Sequence, residues 1–147
     1  MILNKLSIII TYFNSEEYIE DCINSLKNQR NQDFEIIIVD DGSTDHSTQI
    51  LNKTLASYDK DVTFIQLETN TGHAHARNIA LDLAKGQYVM FLDADDEFLP
   101  GRIDLMVEAF QQNVETDIVI GQIARDINGE WKVIPTHKSI VTNELVT

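Results

Sequence analysis

Apolar residues along this chain alternate between two spacings. LSIIITYF (6–13) is a short, continuous, Ile-rich run, as expected of a strand buried on both faces. Tyr18, Ile19, Cys22, Ile23 and Leu26 then recur on one helical face. Between them, NSEE (14–17) has the form of a capping box, with Asn14 as N-cap and Glu17 three residues on. FEIIIVDD (34–41) predicts a second buried strand, GSTD (42–45) a turn, and 45–58 a helix. VTFIQLE (62–68) predicts a third strand, and NTGHAHARNIALDLAKG (70–86) a loop running into a helix. That helix should turn Ala76, Ile79, Ala80 and Leu83 inward and stop at Gly86. YVMFLD (88–93) predicts a fourth strand. Pro100 suits the first turn of a further helix, whose inner face is Ile103, Met106, Val107 and Phe110. DIVIGQIA (117–124) and WKVIP (131–135) predict two last strands around the turn DING.

The order βαβαβαβαββ places the chain in the α/β class. A three-layer α/β/α arrangement with a mostly parallel, Rossmann-like sheet is expected. No repeat, low-complexity tract or linker interrupts it, so 1–147 is read as a single domain. In such sheets ligands bind outside the carboxyl ends of the strands, and polar residues gather there. Thr11 and Asn14 follow the first strand, Asp40 and Asp41 end the second, Asn70 and Gly72 follow the third, and Asp93, Asp95 and Asp96 end the fourth.

Composition changes the picture in one respect. Of 147 residues, 11 are basic and 24 acidic, a formal charge of −13. That opposes nucleic-acid binding, which needs a basic face, and favours a divalent cation as partner. The apolar share, 43%, is that of a globular chain. The longest apolar runs are strand-sized, too short to span a membrane, and no signal peptide is visible at MILNKLSIII. One cysteine cannot form an internal disulfide, which fits the cytoplasm; attachment to a membrane through other sequence stays open.

Asp93 and Asp95, two apart at a strand end, can share one Mg²⁺ or Mn²⁺. An isolated D-x-D is more often a solvated loop that caps a helix. Its place beside three other acidic or amide strand ends reverses that preference. A carboxylate in VDDGSTD can accept a hydrogen bond from a nucleobase or ribose, or can serve only as turn and N-cap chemistry. Arg77 can face a diphosphate, or pair with one of the many acids. His73 and His75 resemble a metal pair in spacing alone, with no Cys or third His nearby. Cys22 sits on an apolar helix face and reads as core.

The ordered motifs SIIITYFN, IIIVDDGSTD, NTGHAHARNIAL and AKGQYVMFLDADDEFLPGRID together resemble the nucleotide-sugar-binding half of the family-two glycosyltransferases, which have the GT-A fold. The resemblance covers roughly residues 5–113. It implies an inverting transferase that moves a sugar from a nucleotide-diphosphate donor, UDP-linked by family habit, to an acceptor hydroxyl on a saccharide or lipid-linked carrier. It implies Mn²⁺ or Mg²⁺ as cofactor, and a role in cell-surface polysaccharide or glycoconjugate synthesis. By position, Thr11 matches a residue near the base or ribose, Asp41 the residue that bonds the base, and Arg77 a residue near the pyrophosphate. Asp93 and Asp95 match the D-x-D that holds ribose and metal, with Asp95 the direct ligand. Asn14, Asn70 and Gly72 complete the donor-binding set, and Asp96 is an extra acid that, with Glu97, can open the next helix.

The sequence also departs from that pattern. Relatives carry a catalytic base well after D-x-D, and no acid after Asp96 stands in a recognisable base motif. The expectation is therefore a donor-binding half, incomplete on the acceptor side, with 114–147 as the start of the acceptor segment and with weak or no transfer of its own. An open sheet would favour self-association. Rival readings are fewer in support. A haloacid-dehalogenase-type phosphatase would open with D-x-D, and a receiver-like phosphoacceptor would carry its acidic pair after the first strand. A dinucleotide oxidoreductase would show G-x-G-x-x-G. A non-catalytic nucleotide-sugar-binding module stays open.

Overall fold

The computed structural model describes residues 6–112 and 115–134. They fall in two compact units, Met1–Arg102 and Ile103–Thr147. In the first, strands β1 (Leu6–Tyr12), β2 (Phe34–Asp40), β3 (Val62–Gln66) and β4 (Tyr88–Asp93) form one parallel sheet in the order β3-β2-β1-β4. Every residue of β1 and β2 is buried, as the unbroken apolar runs predict. β3 is half-buried at one side of the sheet.

Helices α1 (Ile19–Lys27), α2 (Ser47–Leu55) and α3 (His73–Leu83) cover the sheet. Period-two alternation sends successive strand residues to opposite faces. On one face Ile9, Ile37 and Val39 pack with Ala76 and Ala80 of α3, two small side chains that let this helix sit close to the strands. Ile79 lies partly buried against that cluster, whereas Leu83, expected inward, is exposed, because the helix ends there. On the opposite face Ile8, Ile10, Ile36 and Ile38 are fully buried, and Tyr12 reaches α2 through Thr48.

At the amino end of the sheet, a buried carboxylate is closed off by protein donors. Ser7 and Glu35 face each other in register. Glu35 accepts from the Ser7 hydroxyl and from the Lys85 N–H, both at 2.6 Å, and Gly86 N–H donates to Ser7 at 2.8 Å. A Cβ at Gly86 would lie 2.5 Å from Ser7 N, so only glycine lets the chain pass here.

Several local expectations are corrected. Asn14 does not cap α1: it sits at φ 51°, and its Oδ1 accepts from Thr44 N–H at 2.8 Å across the neighbouring loop. The chain makes a turn on Ser15 O before α1 begins at Ile19. α2 is shorter than 45–58. Asp96 and Glu97 do not open a helix; Asp96 N–H closes a turn on Asp93 O, and the next helix starts at Arg102.

The second unit takes in α4 (Arg102–Gln112) from its second residue on, and Ile103, Met106 and Val107 of that helix are buried. Strands β5 (Ile123–Ile127) and β6 (Glu130–Ile134) form an antiparallel hairpin. Asn128 and Gly129, at φ 58° and 83°, make its two-residue turn, the I′ pattern that Asn-Gly favours. That turn fixes the register from Ile127↔Glu130 outward to Ile123↔Ile134. The strand expected at 117–124 therefore appears only in its last two residues. Pro135 and the rest of the expected acceptor-side segment up to 147 lie outside the described residues. Among the described residues, no helix is long and apolar enough to cross a membrane.

Candidate functional site

The chain lays down β1, β2 and β3 in one direction, then returns so that β4 pairs with the other side of β1. The order reverses between β1 and β4, which is where open α/β sheets hold ligands. Thr11 and Asp93 are register partners at the carboxyl ends of those two strands. A cleft of about 540 Å³ opens above them. Of the residues predicted from sequence, Thr11, Asn14, Asp41, Asn70, Asp93 and Asp95 line it, joined by the aromatic side chains of Phe13 and Tyr18.

The walls of the cleft are fixed by hydrogen bonds between loops. Asn14 N–H donates to Ser43, Ser15 N–H to Ser47, and Glu16 N–H to Asp45. Asp40 is fully buried and accepts from Ser43 N–H at 2.8 Å, Thr48 at 2.7 Å and Gln66 at 3.1 Å. Asp41 accepts from both Thr71 N–H and the Thr71 hydroxyl at 2.7 Å, and from Gly72 N–H at 2.9 Å. Burial opposes its ionisation, but these donors, with His75 nearby, hold its carboxyl below the usual range. Gly72 does not line the cleft; its N–H anchors the loop on Asp41 and Asn70.

Arg77 also stands behind the wall. Its Nη2 donates to Asp93 Oδ1 at 2.5 Å, and its guanidinium lies 5.1 Å from the centroid of the Phe91 ring. The ion pair is thus the contact that the structure gives Arg77. His73 was considered from sequence only as half of a metal pair. Its Nδ1 lies 3.2 Å from Thr11 Oγ1 and its Nε2 3.9 Å from Asp93 Oδ1. Its position after a strand-end loop was the signal, the same one that marked Asn70.

The turn Asp93–Asp96 concentrates negative charge. Burial, then Asp95 and Asp93, push the Asp96 carboxyl up. Beneath it, Cys22 Sγ lies 3.7 Å from Asp93 O. Burial first, and the surrounding acids second, push that thiol up to about 12. Among the described residues no three His, Cys, Asp or Glu side chains are grouped to cage a metal. The donor set, exposed Asp95 beside Asp93, fits a hard ion that takes one or two carboxylates and completes its shell with water and phosphate. It does not fit a transition-metal cage built on His73 and His75.

The model of glycosyl transferase family 2 matches residues 7–145, and the chain belongs to that family. It is 51% identical over 121 residues to a teichoic acid poly(glycerol phosphate) polymerase of Staphylococcus epidermidis, covering 82% of this chain and 16% of the polymerase. It is 39% identical over 127 residues to a poly(ribitol-phosphate) beta-glucosyltransferase of Bacillus spizizenii, covering 85% of this chain and 20% of that enzyme. Among solved structures, S. aureus TarS 1-349 in complex with UDP-GlcNAc superposes with a TM-score of 0.72 at 31% identity, over 90% of this chain and 37% of that one. A Pyrobaculum calidifontis mannosyltransferase in complex with GDP-Man and Mn²⁺ gives 0.63 at 28% identity, over 69% of this chain and 30% of that one. The chain therefore spans a fifth or less of the first two relatives and about a third of the two solved structures. The parallel sheet with flanking helices is the GT-A arrangement of those neighbours.

Proposed function

We propose that this chain binds a nucleoside-diphosphate sugar, with UDP as the nucleotide, and supplies the donor-binding part of a metal-dependent, inverting glycosyltransferase. The observation that carries the reading is the switch-point cleft, where Thr11, Asp41, Asn70, Asp93 and Asp95 from four strand ends converge. The UDP-GlcNAc complex of a structural neighbour supports the choice of nucleotide.

In this reading Asp41 and Asn70 face the base, Asp93 the ribose with its register partner Thr11 beside it, and Asn14 the cleft rim. Gly72 holds the base-side loop, and Arg77 positions Asp93. Asp95, with Asp93, would hold Mn²⁺ or Mg²⁺, which supplies Lewis-acid stabilisation of charge growing on the leaving diphosphate. Such an ion also resolves a conflict of charge, since an acidic cleft repels an anionic ligand without a cation between them. An acceptor hydroxyl, on a saccharide or lipid-linked polymer, would attack the anomeric carbon in one displacement. The general base belongs to no residue identified in this cleft, so these residues alone should bind donor and transfer sugar poorly. The teichoic acid poly(glycerol phosphate) polymerase and the poly(ribitol-phosphate) beta-glucosyltransferase among the relatives support cell-wall polymer synthesis as the setting.

Calorimetric titration of UDP, GDP and dTDP, each with and without Mn²⁺, tests the reading. UDP should bind with micromolar-range affinity only when Mn²⁺ is present, and Asp95→Asn should abolish the metal dependence. Metal-independent binding, or an unchanged Asp95→Asn variant, would overturn the metal assignment. No binding of any nucleotide would overturn the donor site, and robust sugar transfer by this chain would overturn the donor-half reading.

A further inference from the structure

His73 stands at the first position of α3, beside the seam between β1 and β4. One ring nitrogen is tied and the other is not. Nδ1 is within hydrogen-bond distance of the Thr11 hydroxyl, at 3.2 Å. Nε2 is 3.9 Å from Asp93 Oδ1, too far for a direct hydrogen bond. A proton on Nε2 faces a carboxylate, so the favoured neutral tautomer carries it there and Nδ1 accepts from Thr11. The imidazolium carries that proton too. The cleft therefore presents an N–H donor and a carboxylate acceptor side by side, separated by a gap that neither closes.

The ligand group that complements this pair is a hydroxyl. It can accept from Nε2–H and donate to Asp93 at once. A phosphate oxygen, an acceptor only, would satisfy His73 and be repelled by Asp93. An ammonium group, a donor only, would satisfy Asp93 and leave His73 without an acceptor. Arg77 holds the same Asp93 oxygen from behind, which keeps the carboxylate from turning onto His73. Thr11 is 5% exposed, and its one hydroxyl proton is committed to the ring.

We infer that His73 and Asp93 form a hydroxyl-reading pair, with Thr11 as a positioning residue that sets the imidazole rather than a ligand contact. The inference rests on the nucleotide-sugar reading and deepens it. The hydroxyl belongs either to the ribose or to the donor sugar, and it makes the site select against the deoxy analogue. A site built to bond a hydroxyl rejects the ligand that lacks it, because its own polar groups are left unpaired.

The test is Mn²⁺-supported binding of UDP, 2′-deoxy-UDP and 3′-deoxy-UDP, and of UDP-glucose with its deoxy-sugar analogues, to the whole chain. Wild type should prefer one hydroxylated ligand over its deoxy form by about tenfold, the worth of one hydrogen bond to a charged group. A preference among the nucleotides assigns the ribose; one seen only among the sugar donors assigns the sugar. His73→Phe should erase that preference by losing more affinity for the hydroxylated ligand than for its deoxy form. Thr11→Val should weaken the preference in wild type and alter that preference no further in the His73→Phe background, a coupling that loss of packing would not produce. His73→Gln, which keeps an N–H donor, should restore part of it. Discrimination that survives His73→Phe, or no discrimination in wild type that binds UDP, overturns this inference alone. Wild type that binds no UDP overturns the nucleotide reading and this inference with it.

Discussion

Asp40 and Asp41 are adjacent in sequence and hold different parts of the molecule. Asp40 gathers the start of α2 and the end of β3 through Ser43, Thr48 and Gln66. Asp41 grips the loop before α3 through Thr71 and Gly72. Asp40 is wholly buried, so Asp40→Ala strands three donors at once. A loss of about 3 kcal/mol or more is expected, read from urea unfolding. A loss below about 1 kcal/mol would show that water replaces the carboxylate.

For Asp41 the consequence is acid sensitivity. Its folded pKa lies below its unfolded value, despite burial, because of the Thr71 and Gly72 donors. The stability it contributes is complete above its unfolded pKa, ~3.9, and is lost as pH falls through the folded value. Asp41→Asn should therefore be less stable than wild type at pH 6, with the difference shrinking toward pH 3. Parallel urea midpoints for the two proteins across that range give the answer, and a constant difference would refute the linkage.

Gly42 is needed for two reasons that coincide. It sits at φ 75°, and a Cβ there would lie 2.5 Å from Thr69 C. The left-handed conformation alone costs a non-glycine residue about 1–2 kcal/mol, and the clash falls on rigid backbone. Gly42→Ala should destabilise by at least about 2 kcal/mol and weaken nucleotide binding, since the displaced segment leads into Asn70. Thermal melts and UDP titration of the same sample would show both effects together.

Arg77→Lys keeps the charge but loses the fork and the stacking on Phe91. The pair with Asp93 is partly exposed, so stability should fall by less than about 1 kcal/mol. UDP affinity should fall more clearly, by about three- to tenfold, because Asp93 loses its fixed orientation. Equal affinity in the two proteins would assign Arg77 to stability alone.

Cys22 should be inert in the folded chain. Burial and the acidic turn above it suppress the thiolate, the reactive form. A chromogenic disulfide reagent should label it only after unfolding in urea. Stoichiometric labelling of the native protein within minutes would mean that the turn opens readily.

The Ile-rich strands and their polar ends were legible because a strand buried on both faces writes an unbroken local pattern. The four-loop convergence followed from topology. What escaped was set by partners distant in sequence. Asn14 has ideal capping neighbours, yet a hydrogen bond to Thr44, 30 residues on, captures its side chain. The hairpin obeyed Asn128-Gly129 rather than the apolar run at 117–122, where Ile118 and Ile120 stand exposed. His73 meets Thr11 across 62 residues, and no local pattern marks a ring that is placed from elsewhere. Leu83 kept helical phase but lay at the last residue of α3.

The two ends of the sheet carry their carboxylates in opposite conditions. Around Glu35 the hydroxyl of Ser7 and the N–H of Lys85 both donate to one carboxylate oxygen, and the N–H of Gly86 holds Ser7 in place, so the fold itself supplies the partners. At the other end, Asp93, Asp95 and Asp96 crowd one turn, and among the described residues Arg77 and the nearby His73 stand against them. Their mutual repulsion is a standing cost to the native state, concentrated at one pole. Any cation that settles there relieves that repulsion and adds its binding free energy to folding, so ligand and metal should act on this chain as folding agents as well as reactants.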